Sequence, residues 1–180
     1  MQYKCEVKVI DKKVFPDLQE KYLNDPRSGA CPFYHVGDTF LFERYGNEDT
    51  LWTMGKGSQC AEAWDCISRY IYTALQGGSI MRGWTNDEHR MIACCNDGTR
   101  PVIFRITRLD YKVLVCKERI PEDLKEQVAN YLEKVPRVSA VGFSKNGEWI
   151  EVLCDRNDPP EDAMLLQALE SLPIDVIRID

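Results

Sequence analysis

Val138-Ser139-Ala140-Val141-Gly142-Phe143, then Ser144-Lys145-Asn146-Gly147-Glu148, then Trp149-Ile150-Glu151-Val152-Leu153-Cys154 is the stretch whose reading decides the fold. Two runs rich in strand-forming residues flank Asn146-Gly147, the dipeptide that most strongly marks a tight turn between antiparallel strands. Alternation then puts Trp149 and Glu151 on one face of their strand, and Ile150 and Val152 on the other. Working outward, Pro121 to Val135 repeats Leu124, Val128, Tyr131, Leu132 and Val135 at helical spacing until Pro136 stops it. Lys112 to Cys116 reads as a strand before that helix. Asp158-Pro159-Pro160-Glu161 opens a second helix with Leu165, Ala168, Leu169 and Leu172 inward, and Ile174 to Ile179 supplies a last strand. The order βαββαβ predicts a ferredoxin-like sandwich over residues 111–180. The name describes topology: no cluster-binding cysteine run is present, and Cys116 and Cys154 are expected to be buried thiols. Because helices in this topology cover one face of the sheet, the module is a candidate for self-association or for a protein partner.

Upstream of residue 111 the pattern is looser. Cys5, Val7 and Val9 alternate with Lys4, Glu6 and Lys8 in an opening strand, and a short helix follows from Pro16. Val36-Gly37-Asp38 makes a turn that launches a strand from Thr39 to Glu43, and Arg44 to Gln59 reads as irregular. Ser58 is the expected N-cap of a helix running to Gln76, with Trp64, Ile67, Ile71, Ala74 and Leu75 in an apolar stripe and Gly77-Gly78 as its stop. Met91-Ile92-Ala93 and Val102-Ile103-Phe104-Arg105-Ile106 flank Cys94-Cys95-Asn96-Asp97-Gly98-Thr99-Arg100-Pro101, a hairpin tip in which Asp97-Gly98 is expected to supply positive φ. This hairpin closes near Arg108-Leu109-Asp110. Residues 1–110 thus form an expected α+β domain of β-hairpins around one main helix, and the fold class of the whole chain is α+β.

Composition narrows the function. The chain has 180 residues, 44% of them hydrophobic, enough for a real core, and its net charge of −6 opposes a nucleic-acid or anionic-membrane partner. No run reaches the roughly 18 apolar residues of a spanning helix, and the N-terminus alternates like a strand, so a cytoplasmic protein is expected. Its eight cysteines, 5, 31, 60, 66, 94, 95, 116 and 154, then read as free thiols.

Cys31-Pro32 before Val36-Gly37-Asp38, Cys60-Ala61-Glu62-Ala63-Trp64, Gly77-Gly78, and Cys95-Asn96-Asp97-Gly98-Thr99-Arg100-Pro101-Val102-Ile103-Phe104 together resemble the prokaryotic family called TIGR04076. The resemblance covers about residues 1–110. It implies a domain boundary near residue 110 with an added module behind it, and it singles out these motifs; the family has no established activity to transfer.

Read as chemistry, the thiols at turns and helix ends are the ones that can reach a ligand. Cys60, expected in a first helical turn, would face unpaired N–H groups that favour thiolate; the alternative is a small residue packed beside Trp64. Cys94 and Cys95 alternate faces, and adjacent Cα atoms about 3.8 Å apart lie below the usual range for a bridge, so Cys95, next to the turn, is taken as the functional member. Cys60 and Cys95 are the candidate nucleophiles, with His35 or His89 as the base; the alternative for His89, in Asn86-Asp87-Glu88-His89-Arg90, is a solvated loop residue, which its charged neighbours favour. Cys31, Cys60 and Cys95 with His35 would offer soft ligands to zinc, iron or an iron-sulfur cluster, although no C-x-x-C knuckle occurs. Arg100 can meet a carboxylate or phosphate, or instead bond Asp97 or Asp38; Arg100, Asp97, Trp64 and Trp84 are the candidate ligand-binding residues, and Trp52 could line a pocket with the two other tryptophans, the alternative for Trp64 being the helix core. The leading expectation is a cytosolic binding or accessory protein with a cysteine-lined pocket for a small ligand or soft metal. The alternatives are a thiol-dependent enzyme acting on a small anionic molecule, and a purely structural interaction protein.

Overall fold

The computed structural model describes residues 2–44, 50–51, 59–155 and 157–180. Among these residues eleven elements follow one another: β1 (Gln2–Lys12), α1 (Pro16–Tyr22), β2 (Thr39–Phe42), α2 (Ala61–Leu75), β3 (Arg90–Cys94), β4 (Val102–Cys116), α3 (Glu122–Leu132), β5 (Val138–Phe143), β6 (Trp149–Cys154), α4 (Asp162–Leu169) and β7 (Val176–Ile179). With helices and antiparallel strands mixed in this way, the class is α+β. The chain divides into two compact units, Lys4–Arg108 and Met1–Tyr3 with Leu109–Asp180.

In the Lys4–Arg108 unit the strand order is β2-β1-β4-β3. Alternation drives its burial: Cys5, Val7 and Val9 of β1 and Val102, Phe104 and Ile106 of β4 point into one core, where Ala63, Ile67, Ile71 and Ala74 of α2 meet them. The helical stripe expected from the sequence is therefore the buried one. Gly37 lies at φ +102°, where a side chain would be strained, and its N–H donates to the Val9 carbonyl while Val9 N–H donates to Asp38. That closure starts β2 antiparallel to β1, in the register Cys5↔Phe42 and Lys8↔Thr39.

In the Leu109–Asp180 unit, β7 and β6 both pair antiparallel with β4, and β5 pairs antiparallel with β6, giving β7-β4-β6-β5. This is the strand order of a ferredoxin-like sandwich. Leu114, Ile150 and Val152 form the strand side of its core, and Val128, Leu132, Leu165 and Leu169 the helix side. Trp149 and Glu151 take the opposite face from Ile150 and Val152, as alternation requires. The turn between β5 and β6 needs glycine twice over: Gly147 sits at φ +74°, and a Cβ there would come within 3.1 Å of the Ile120 carbonyl oxygen.

One expectation is corrected in β4. A strand ending near Arg108-Leu109-Asp110 and another starting at Lys112 are instead a single strand, Val102–Cys116. That segment contains no glycine, proline or asparagine, so no local breaker interrupts it, and Asp110 is buried at 3% exposure.

Candidate functional site

The β3–β4 hairpin carries the first part of the site. Its last pair is Cys94↔Ile103, and below it Cys95 N–H donates to the Val102 carbonyl while Val102 N–H donates to Cys95 Sγ at 3.3 Å. The loop between is built by a side chain and not by a left-handed glycine: Gly98 has no positive φ, contrary to the sequence expectation. Asp97 Oδ1 accepts hydrogen bonds from Thr99 N–H (2.9 Å), Thr99 Oγ1 (2.9 Å) and Arg100 N–H (3.2 Å), and Oδ2 accepts from Arg100 Nε at 2.9 Å. An Asx-type closure of this kind satisfies the backbone without special dihedrals. Partial burial pushes the Asp97 carboxyl up, but the bonds from Thr99 and Arg100 outweigh it and hold the group below its usual range. Arg100 spends Nε on Asp97, and among the described residues no hydrogen bond or ion pair engages its terminal nitrogens.

Two other segments reach the same place. Lys12 Nζ donates to the Tyr34 carbonyl at 2.7 Å, tying the Cys31–Asp38 loop to β1. Tyr34 is 2% exposed and meets Phe104 edge-on at 5.3 Å between ring centroids. Its hydroxyl donates to Gln59 Oε1 (2.8 Å) and accepts the Cys60 N–H (3.0 Å). Burial pushes the Tyr34 hydroxyl up, and the Cys60, Cys31 and Cys95 thiols around it push the same way. Cys60 itself is not in the first turn of α2. It is the N-cap, with extended backbone at φ −73° and ψ 130°, its carbonyl accepts the Trp64 N–H, and its thiol makes no capping bond. Ser58, the expected cap, lies outside the described residues.

These segments enclose a pocket of about 310 Å³. Cys31, Cys60 and Cys95 line it together with Asp97 and Arg100, so five of the residues singled out from the sequence converge. Phe33, Tyr34 and Glu62 line it too and were not singled out; the aromatic pair directly after Cys31-Pro32 was the available signal, and Glu62 lay inside a quoted motif. Four candidates lie elsewhere. Trp64 packs against Phe42, with ring centroids 5.9 Å apart, as part of the core. Trp84 is 75% exposed and lines nothing here. The His35 side chain points to solvent with Nδ1 3.8 Å from Asp38. His89 is buried rather than solvated, its Nδ1 3.3 Å from Asp87 Oδ1, because Arg90 starts β3 immediately after it and Arg108 N–H donates to its carbonyl. Trp52 falls outside the described residues.

Among the described residues no group of three or more histidine, cysteine, aspartate or glutamate side chains is arranged to hold a metal ion. All eight cysteines are free. No described helix is long and apolar enough to cross a membrane. Compared with family models, with curated proteins and with solved structures, the chain matches none.

Proposed function

We propose that this protein binds a small anionic ligand in the pocket formed by Cys31, Cys60, Cys95 and Arg100, acting as a cytosolic binding or accessory protein. The observation that carries this reading is the convergence of three thiols from distant segments on one cavity beside a guanidinium whose terminal nitrogens are unengaged among the described residues. Asp97 holds Nε and so aims the planar fork, the geometry that suits a carboxylate or phosphate. Binding is favoured over catalysis by a cysteine nucleophile because neither histidine lines the pocket, which leaves no imidazole base beside the thiols. A small ligand is favoured over a soft metal by the lack of a three-donor group among the described residues. The TIGR04076 resemblance belongs to the same reading, since its Cys31-Pro32, Cys60 and Cys95-to-Arg100 motifs are the pocket's own segments. Residues 111–180 serve association in this reading.

Paired alkylation tests it. Iodoacetate and iodoacetamide differ in the negative charge, so anchoring by Arg100 should accelerate iodoacetate at the pocket thiols. Arg100→Gln should lower the iodoacetate rate about tenfold, as loss of ~1.4 kcal/mol of anion binding implies, and leave the iodoacetamide rate within about twofold. Equal loss for both reagents would overturn the anion pocket. Stoichiometric zinc uptake by the reduced protein would favour the metal instead.

A further inference from the structure

The pocket carries a second unengaged charge, of the opposite sign. Glu62 lines it from the first turn of α2, is exposed, and among the described residues makes no hydrogen bond or ion pair. A glutamate in a first turn suits the helix dipole whichever way it points, but this one borders the cavity. Arg100 borders the same cavity, and although opposite charges attract, no ion pair joins the two side chains. Asp97 spends its own charge on Arg100 and on the turn, so Glu62 is the carboxylate left over. An anion that meets Arg100 therefore meets a like charge as well, unless it brings a positive group with it. The rest of the wall is apolar. Pro32, Phe33 and Val102 have no polar side-chain atom, and the Tyr34 hydroxyl is committed to Gln59 and to the Cys60 N–H. At about 310 Å³ the cavity sits at the lower end of the roughly 300–1,000 Å³ span of small-molecule sites, so the ligand is small.

We propose that the pocket's ligand is a free α-amino acid with an apolar side chain. Its carboxylate takes the Arg100 fork, its ammonium meets Glu62, and its side chain lies against Pro32, Phe33 and Val102. This rests on the anion reading of the pocket and sharpens it: the anionic group is a carboxylate that shares its molecule with a cation. Every charge the ligand covers then has a partner, whereas a bare carboxylate leaves Glu62 unanswered and a bare amine leaves Arg100 unanswered.

The test uses the full, reduced chain and asks which small molecules shield Cys31, Cys60 and Cys95 from iodoacetamide, read by peptide mapping. The probes are L-leucine and L-phenylalanine, with isocaproate and hydrocinnamate as the forms lacking the ammonium, and isoamylamine and phenethylamine as those lacking the carboxylate. At least one amino acid should shield at about tenfold lower concentration than both of its analogues, the scale of one charge-assisted hydrogen bond. Glu62→Gln should weaken that amino acid about tenfold without weakening its deaminated analogue, and Arg100→Gln should weaken both. Isocaproate or hydrocinnamate shielding as well as its amino acid, with both dependent on Arg100, would overturn the amino-acid assignment and keep the anion reading. Amines shielding as well as the amino acids would overturn both. Full shielding in Glu62→Gln, or none by either amino acid, would also overturn the assignment, and the Arg100 dependence of the iodoacetate rate then decides the anion reading separately.

Discussion

Cys116 and Cys154, on strands of the Leu109–Asp180 unit, are 8% and 6% exposed, whereas Cys31, Cys60, Cys66, Cys94 and Cys95 of the Lys4–Arg108 unit all keep surface. The difference is one of position within elements. A cysteine inside a strand inherits the face that alternation assigns, and Cys5, fully buried on β1, obeys this in the first unit as well. Cys31 lies in a loop, Cys60 caps a helix and Cys95 opens a turn, and no repeat dictates these positions, while Cys94 ends β3 on the exposed side that alternation assigns it. Burial pushes the Cys116 thiol up to about 11, and Cys5 and Cys154 upward too. The ferredoxin-like unit thus uses cysteine as a small apolar residue, as β1 does with Cys5, and the rest of the first unit displays it.

The largest effect expected from this contrast is on stability. Leu132 is fully buried between α3 and the sheet of its unit, so Leu132→Ala should cost about 2–5 kcal/mol. Urea unfolding followed by thiol labelling checks it: Cys116 and Cys154 should become reactive at lower urea than Cys5. Simultaneous exposure of all three would show that the two units unfold together.

A smaller effect is expected on reactivity in the folded protein. A thiol raised from 9.0 to about 11 carries roughly 100-fold less thiolate at neutral pH, and its sulfur is buried as well, so Cys116 should react with iodoacetamide far more slowly than the exposed Cys94. Peptide mapping over time gives the order. Comparable rates at Cys94 and Cys116 would erase the distinction between displayed and packed thiols.

The smallest effect concerns the Asp97 turn. Asp97→Ala removes four hydrogen bonds at a half-buried site and should cost roughly 1–2 kcal/mol, measured by thermal unfolding near neutral pH. The sign of its pH dependence follows from a carboxyl held below its unfolded value of about 3.9. The unfolded chain takes up the proton first, so the contribution is present above about pH 4 and is lost as pH falls through the lower folded value. The gap between the unaltered protein and Asp97→Ala should therefore close in acid; a constant gap would remove the charge from the turn's account.

What the sequence alone determined about this protein is what a repeat can encode. Period two placed Ile150 and Val152 opposite Trp149 and Glu151, period 3.6 placed Ile67 and Ile71 in the core, and Asn146-Gly147 joined β5 to β6. Those signals are local: each reports which face of one element is apolar. Cys31, Cys60, Cys95 and Arg100 were legible one by one, as residues at turns and helix ends, and a cysteine-lined pocket was expected from them, but no local signal fixed how they would meet. Tertiary structure decided that, through bonds between segments far apart in the chain, such as Lys12 to the Tyr34 carbonyl, Tyr34 to Cys60, and Phe15 N–H to the Thr99 carbonyl. The same long-range packing buried His89 despite its charged neighbours, left Trp84 in solvent despite its apolar ring, and carried β4 through Arg108-Leu109-Asp110. A side chain outside a periodic element has no preferred face of its own, so its surroundings are set by whichever segments the rest of the fold brings to it.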